Sequence, residues 1–158
     1  MQIDSTAQIL GRVEWGTEPW LITIGAGTVL SKQITFWNHD GGVSVVRKMD
    51  PKYEHVIKFG YIKIGQNCFI GANSTILCNV SIGDNCIIGA NSLITKDIPS
   101  GEVWGGIPAK RICSVYEYAE KNRQILKNYE YKLNDENKKE ESIKIANIFA
   151  TKKNKLDL

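Results

Sequence analysis

Residues 64–81 read IGQNCFIGANSTILCNVS and residues 82–99 read IGDNCIIGANSLITKDIP, identical at ten of 18 positions. Within both stretches isoleucine returns every sixth residue, at Ile64, Ile70, Ile76, Ile82, Ile88 and Ile94. Gly65, Gly71, Gly83 and Gly89 follow four of them. Four places after each isoleucine stands a compact or apolar residue: Cys68, Ser74, Val80, Cys86, Ser92 and Ile98. A period of six matches neither the 3.6 of a helix nor the 2 of an ordinary strand. It suits a chain that turns a corner every six residues, keeping each isoleucine inward, with three hexads per coil. One such coil cannot bury its own core, so coils must stack, as in a parallel β-helix. The stacking predicts vertical ladders about 4.7–4.9 Å apart, Cys68 over Cys86, Ile70 over Ile88 and Ser74 over Ser92.

The period extends upstream through Ile24, Leu30 and Phe36. Ile3 and Ile9 keep the spacing until Trp15, Gly16 and Pro19 disturb it, so residues 1–23 are expected to form an irregular capping coil. Between Phe36 and Ile64 the step is 22 residues too long, which predicts a loop leaving the scaffold over about 37–61. It carries both histidines of the chain and the Gly41-Gly42 pair. Long excursions from a regular scaffold are commonly functional. Residues 101–113 read as a last partial coil. Ser114 and Glu117 then form a capping box, predicting a helix to about Leu133 with Tyr118, Ile125, Leu126, Tyr129 and Leu133 as its apolar positions. A second, weaker helix follows to about Ala150, and residues 151–158 are expected to fray. The expected organisation is an all-β domain over 1–113 with a C-terminal α-helical extension over 114–158.

At 158 residues the chain is one domain with room for one core. Its net charge of +3 is too small to argue for nucleic acid, and the tail after Val115 mixes both signs. No apolar run reaches the length needed to span a bilayer, and the N-terminus lacks a signal segment. A cytoplasmic location is therefore expected, with Cys68 and Cys86 as buried free thiols rather than a disulfide.

Two histidines leave few candidates for a general base near neutral pH. His39 stands at the root of the loop beside Asp40, which is a candidate to orient it. His55 reads as a packed or surface loop residue. A zinc site of three histidines is excluded by the count of two, and no metal is expected.

The coils, the Asn38-His39-Asp40-Gly41-Gly42 loop, Ile94-Thr95-Lys96-Asp97-Ile98-Pro99 and Gly106-Ile107-Pro108-Ala109-Lys110 together resemble the hexapeptide-repeat acyltransferases. The likeness is greatest to sugar O-acetyltransferases of bacterial surface polysaccharides and to maltose and galactoside acetyltransferases. It covers roughly residues 9–113. The resemblance implies a left-handed parallel β-helix, a homotrimer with active sites at subunit interfaces, and acetyl-CoA as donor to a sugar hydroxyl. His39 matches the family's base. Ala72 and Ala90 match small residues lining the pantetheine slot. Thr95, Lys96, Lys110 and Arg111 match positions that meet CoA. Glu18 matches a carboxylate that binds the acceptor sugar, and Trp20, Trp37 and Asn38 are further acceptor-side candidates. Trp20 could equally cap the first coil. Trp104 departs from the family pattern, where a small residue is usual. N-acetylation of an amino sugar and a non-catalytic scaffold are the alternatives.

Overall fold

The computed structural model describes residues 1–130 and 134–153. They fall into two compact units, Met1–Val115 and the residues from Tyr116 onward.

The first unit is four coils and a terminal hairpin. The first coil is β1 (Gln2–Ile3), β2 (Gln8–Ile9) and β3 (Val13–Glu14). The second is β4 (Ile22–Ile24), β5 (Val29–Leu30) and β6 (Ile34–Trp37). The third is β7 (Ile62–Ile64), β8 (Phe69–Ile70) and β9 (Thr75–Leu77). The fourth is β10 (Val80–Ile82), β11 (Ile87–Ile88) and β12 (Leu93–Ile94). Each strand pairs in parallel with its equivalent one coil away, giving three sheets ordered β1-β4-β7-β10, β2-β5-β8-β11 and β3-β6-β9-β12. The register places Ile82 beside Ile64, Ile88 beside Ile70 and Ile94 beside Ile76. The expected left-handed β-helix is the fold.

Period six works because five corners of the third and fourth coils carry a residue able to take left-handed backbone. Asn67, Asn73, Asn79, Asn85 and Asn91 all have φ between 53° and 60°. Asparagine tolerates this region better than other side chains because its short amide bonds locally. The inward isoleucines are sealed, most below 2 % exposed. Each such side chain contributes about 1.5–3 kcal/mol on burial. Glycine after isoleucine serves close stacking: a Cβ on Gly71 would lie 2.4 Å from the amide nitrogen of Ala90 in the next coil. Cys68 and Cys86 are free and buried, as expected. Cys68 Sγ donates to Gly83 O at 3.0 Å.

One expectation is corrected. The N-terminal segment is a complete coil, because Ile3 pairs with Ile24 and Ile9 with Leu30 in ordinary parallel register. The disturbance is confined to three extra residues over 15–21, where Pro19–Leu21 form a 3-10 turn. Residues 101–113 form a partial coil, one strand followed by a return. That strand is β13 (Glu102–Gly105), parallel to β11, and β14 (Lys110–Ser114) returns antiparallel to it. Trp104 pairs with Ile88, is buried, and covers the end of the core.

The large excursion contains α1 (Val43–Met49) and a 3-10 turn at Pro51–Tyr53. Its two ends form a short antiparallel stem: Gly60 N donates to Asn38 O, Asp40 N donates to Lys58 O, and His39 faces Phe59. Both excursions leave the prism at the same edge, between the β3-β6 sheet and the β4-β7 sheet.

Helix α2 (Val115–Ile125) begins directly after Ser114, where the capping box places it, and ends earlier than expected. Leu126 to Asn128 continue as turns. Leu133 and residues 154–158 lie outside the described residues. Helix α3 is Lys138–Lys153. Within the second unit Tyr129 Oη donates to Glu141 Oε2 at 2.9 Å and Lys152 Nζ donates to Ile125 O. Among the described residues no helix is long and apolar enough to cross a membrane.

Candidate active site

Residues 15–21 and the stem of the large excursion meet because they emerge from one edge, a coil apart. Trp15 stacks on core Phe36, with centroids 5.3 Å apart and planes 6° from parallel. Gly16 has φ +71°, and a Cβ there would lie 2.6 Å from Asn38 Oδ1, so the chain can cross Asn38 only at glycine. Asn38 itself is fully buried and its Nδ2 donates to Trp15 O at 2.9 Å. That removes it from the acceptor-side candidates: its amide holds the crossing segment and has no open face.

The next residues reach His39. Glu18 Oε2 stands 2.9 Å from His39 Nδ1, and Thr17 Oγ1 is 3.1 Å from the same nitrogen while donating to Glu18 Oε2 at 2.7 Å. The Thr17 hydroxyl first, and then His39, hold the Glu18 carboxyl below its ordinary range against desolvation, which raises it. The carboxylate in contact with His39 is thus that of Glu18, not the Asp40 carboxylate expected there. Asp40 turns away: Oδ1 accepts from Gly42 N and Oδ2 from Lys58 Nζ, both at 2.9 Å. These bonds, Lys58 foremost, lower its pKa. Adjacent side chains on an extended segment point to opposite faces, so Asp40 and His39 do not share a partner.

His39 lines a cavity of about 360 Å³ with Trp37, Asp40, Gly41, Lys58, Leu77, Cys78 and Thr95. Trp37 and Thr95 were anticipated from the sequence. Trp20 is 66 % exposed and does not cap the coil; Trp15 packs on the core instead. His55 is on the surface beside Glu54. At the far end of the stack, Lys96 Nζ lies 5.2 Å from the Trp104 ring centroid. Glu102 accepts from Trp104 Nε1 and from Arg111 Nε at 2.7 and 2.8 Å. Lys110 is exposed at the start of β14, opposite Gly105. Ala72 and Ala90 stack at one corner, where Asn91 N donates to Ala72 O.

A family model described as bacterial transferase hexapeptide (six repeats) matches residues 61–96. Protein CapG of Staphylococcus aureus is 50 % identical over 130 residues, covering 81 % of this chain and 72 % of that protein. This chain belongs to the bacterial hexapeptide-repeat transferases. The hexapeptide-repeat family read from the sequence is thus the chain's own. Among solved structures, a maltose O-acetyltransferase from Clostridium difficile 630 superposes with a TM-score of 0.55 at 23 % identity, over 71 % of this chain and 70 % of that one. A variant of AntD, an N-acyltransferase from Bacillus cereus in complex with dTDP-4-amino-4,6-dideoxyglucose and coenzyme A, superposes with 0.52 at 20 %, over 77 % and 76 %. At these identities the likeness is one of fold.

In this transferase the sequence pattern missed Thr17, Lys58, Leu77, Cys78 and Glu102. Leu77 had a signal, since it follows inward Ile76 and pairs with Trp37 across the coils. Lys58 had none, because only the stem of the excursion brings it opposite Asp40. The site thus joins an imidazole, one nitrogen of it engaged by a carboxylate, to an aromatic side chain and an ammonium around one cavity.

Proposed function

We propose that this transferase moves an acetyl group from acetyl-CoA to a hydroxyl of a sugar or surface-polysaccharide precursor, with His39 as general base. The observation that carries the reading is the engagement of His39 Nδ1 by Glu18 at the wall of a cavity. That leaves Nε2 to accept a proton. The acceptor oxygen attacks the thioester carbonyl carbon as Nε2 takes its proton. The tetrahedral intermediate then collapses, the C–S bond breaks, and the imidazolium returns the proton to the departing CoA sulfur. No acyl-enzyme is needed, so none of the four cysteines is a nucleophile.

The family resemblance assigns Ala72 and Ala90 to the pantetheine slot, where their small side chains leave room. It assigns Thr95, Lys96, Lys110 and Arg111 to CoA, the cations facing its phosphates. Trp37 offers its face to a pyranose. The functional assembly is a homotrimer in the cytoplasm, each site completed by a neighbouring subunit. Domain boundaries follow the same reading, with residues 1–113 as the catalytic β-helix and 114–158 as its helical extension.

The second reading, acetylation of an amino-sugar nitrogen, draws on the AntD likeness. A carboxylate-held imidazole favours the first. A hydroxyl must lose its proton as it attacks, whereas a neutral amine already presents a lone pair.

Thermal unfolding with saturating acetyl-CoA, run beside a thiol-release assay over neutral and amino sugars, tests the proposal. A ligand at 100 times its dissociation constant adds about 2.7 kcal/mol, which raises the midpoint by several degrees. A rise with thiol release on a neutral sugar is expected. No rise in the folded protein would leave a non-catalytic scaffold.

A further inference from the structure

We infer that Glu18 is the positioning residue that sets the tautomer of the His39 imidazole, rather than a ligand of the acceptor. This rests on the reading of His39 as base and goes beyond it, by naming what makes Nε2 the basic nitrogen.

For the neutral ring the hydrogen-bond set admits one consistent proton arrangement. Glu18 is held in its ionised form by the Thr17 hydroxyl and by His39, so its Oε2 can only accept. Thr17 Oγ1 spends its single proton on that oxygen, at 2.7 Å. His39 Nδ1 is 2.9 Å from the same carboxylate oxygen and 3.1 Å from the Thr17 oxygen. A bare Nδ1 lone pair would face the carboxylate's own lone pairs at hydrogen-bond distance. In the neutral imidazole the proton therefore sits on Nδ1, and the Nε2 lone pair is free. When Nε2 takes a proton during reaction, the ring becomes a cation beside a carboxylate already in place.

The carboxylate is fixed by construction. Its side chain is 18 % exposed, against 31 % for His39. Its backbone is tied on one side by Trp15 on Phe36 and by Asn38 on Trp15 O. On the other side Pro19 opens the 3-10 turn, and Leu21 N donates to Glu18 O. Three residues beyond the regular period suffice to bring a carboxylate from one coil onto the imidazole rooted in the next.

The test uses protein labelled with ¹⁵N-histidine and carrying His55→Gln, so that one imidazole is observed. Long-range ¹H–¹⁵N correlation of the neutral ring should show the Nδ1–H form in the parent and a mixture of forms in Glu18→Ala. Glu18→Gln, which keeps the packing and an accepting oxygen, should retain the Nδ1–H form. With the sugar giving fastest thiol release, Glu18→Ala should lower kcat roughly 10- to 10³-fold, with acceptor KM within about threefold. The same tautomer mixture in parent and Glu18→Ala would overturn the inference. So would an unchanged kcat with a raised KM, which would make Glu18 an acceptor ligand. The spectroscopic result stands independently of acetyl-CoA binding, so failure of the acetyl-transfer reading is seen separately, in the thermal assay.

Discussion

Asn67 lies directly over Asn85, their side-chain amides bonded at 2.7 Å and their backbones both left-handed at φ +53° and +54°. This corner thus combines a backbone requirement with a cross-coil bond. Asn85→Ala should cost about 1–2 kcal/mol from the φ penalty plus a smaller share for the lost bond. Asn85→Gly should lose only the bond. Urea unfolding of both variants decides it; equal losses would mean that the backbone conformation contributes nothing.

Turnover in His39→Ala should fall roughly 10²–10⁴-fold, the usual worth of a positioned base. The thermal shift produced by acetyl-CoA should persist. A loss under about threefold would remove His39 from the mechanism.

The Asp40–Lys58 pair gives the excursion a defined pH window. Asp40 is depressed below 3.8, first by the hydrogen bond from Lys58, so its contribution is present above that value and lost as pH falls through the folded one. Lys58 is raised above 10.5 by the same bond, so its contribution is present below that value and lost as pH rises through the folded one. Proteolysis of the 43–61 segment should be faster in Asp40→Asn than in the parent at neutral pH. The difference should vanish well below pH 3.8. A difference independent of pH would exclude the ion pair as its cause.

Thiol titration should separate the cysteines into two classes. Burial pushes the Cys68 thiol up to about 11, and Cys86 is equally enclosed. Both should react only on unfolding. Cys78 and Cys113 are half-buried and should react in the folded protein. A bulky adduct on Cys78 should block turnover, because Cys78 lines the His39 cavity. Full activity after its modification would place the reacting groups elsewhere.

The scaffold was legible because its rule is local and repeated. Ile64, Ile70 and Ile76 face inward for one reason, and the same rule read one coil later predicts Ile82, Ile88 and Ile94. The first coil was misjudged because its own residues obey the rule while the three extra ones beside it hide the continuity. The hairpin after Gly105 was not legible: Val103 and Trp104 extend the pattern, and nothing in them announces the antiparallel return. At the site, His39 stood out by scarcity. Glu18 was noticed for a different task, since its nearness to His39 arises from two departures of the chain separated by 21 residues. Periodicity carries no information about where departures converge.

The shared edge from which both excursions spring has a further meaning. In the third coil two of the three corners are fixed by the coil that follows: Gly65 and Gly71 each have neighbouring backbone within 2.8 Å of where a Cβ would be. The third has absorbed three residues in one coil and 22 in another, without shifting a single ladder pair. Such a molecule has an inventive margin and two conservative ones. New acceptor chemistries can be written along a single seam, while the text of the core is copied unchanged.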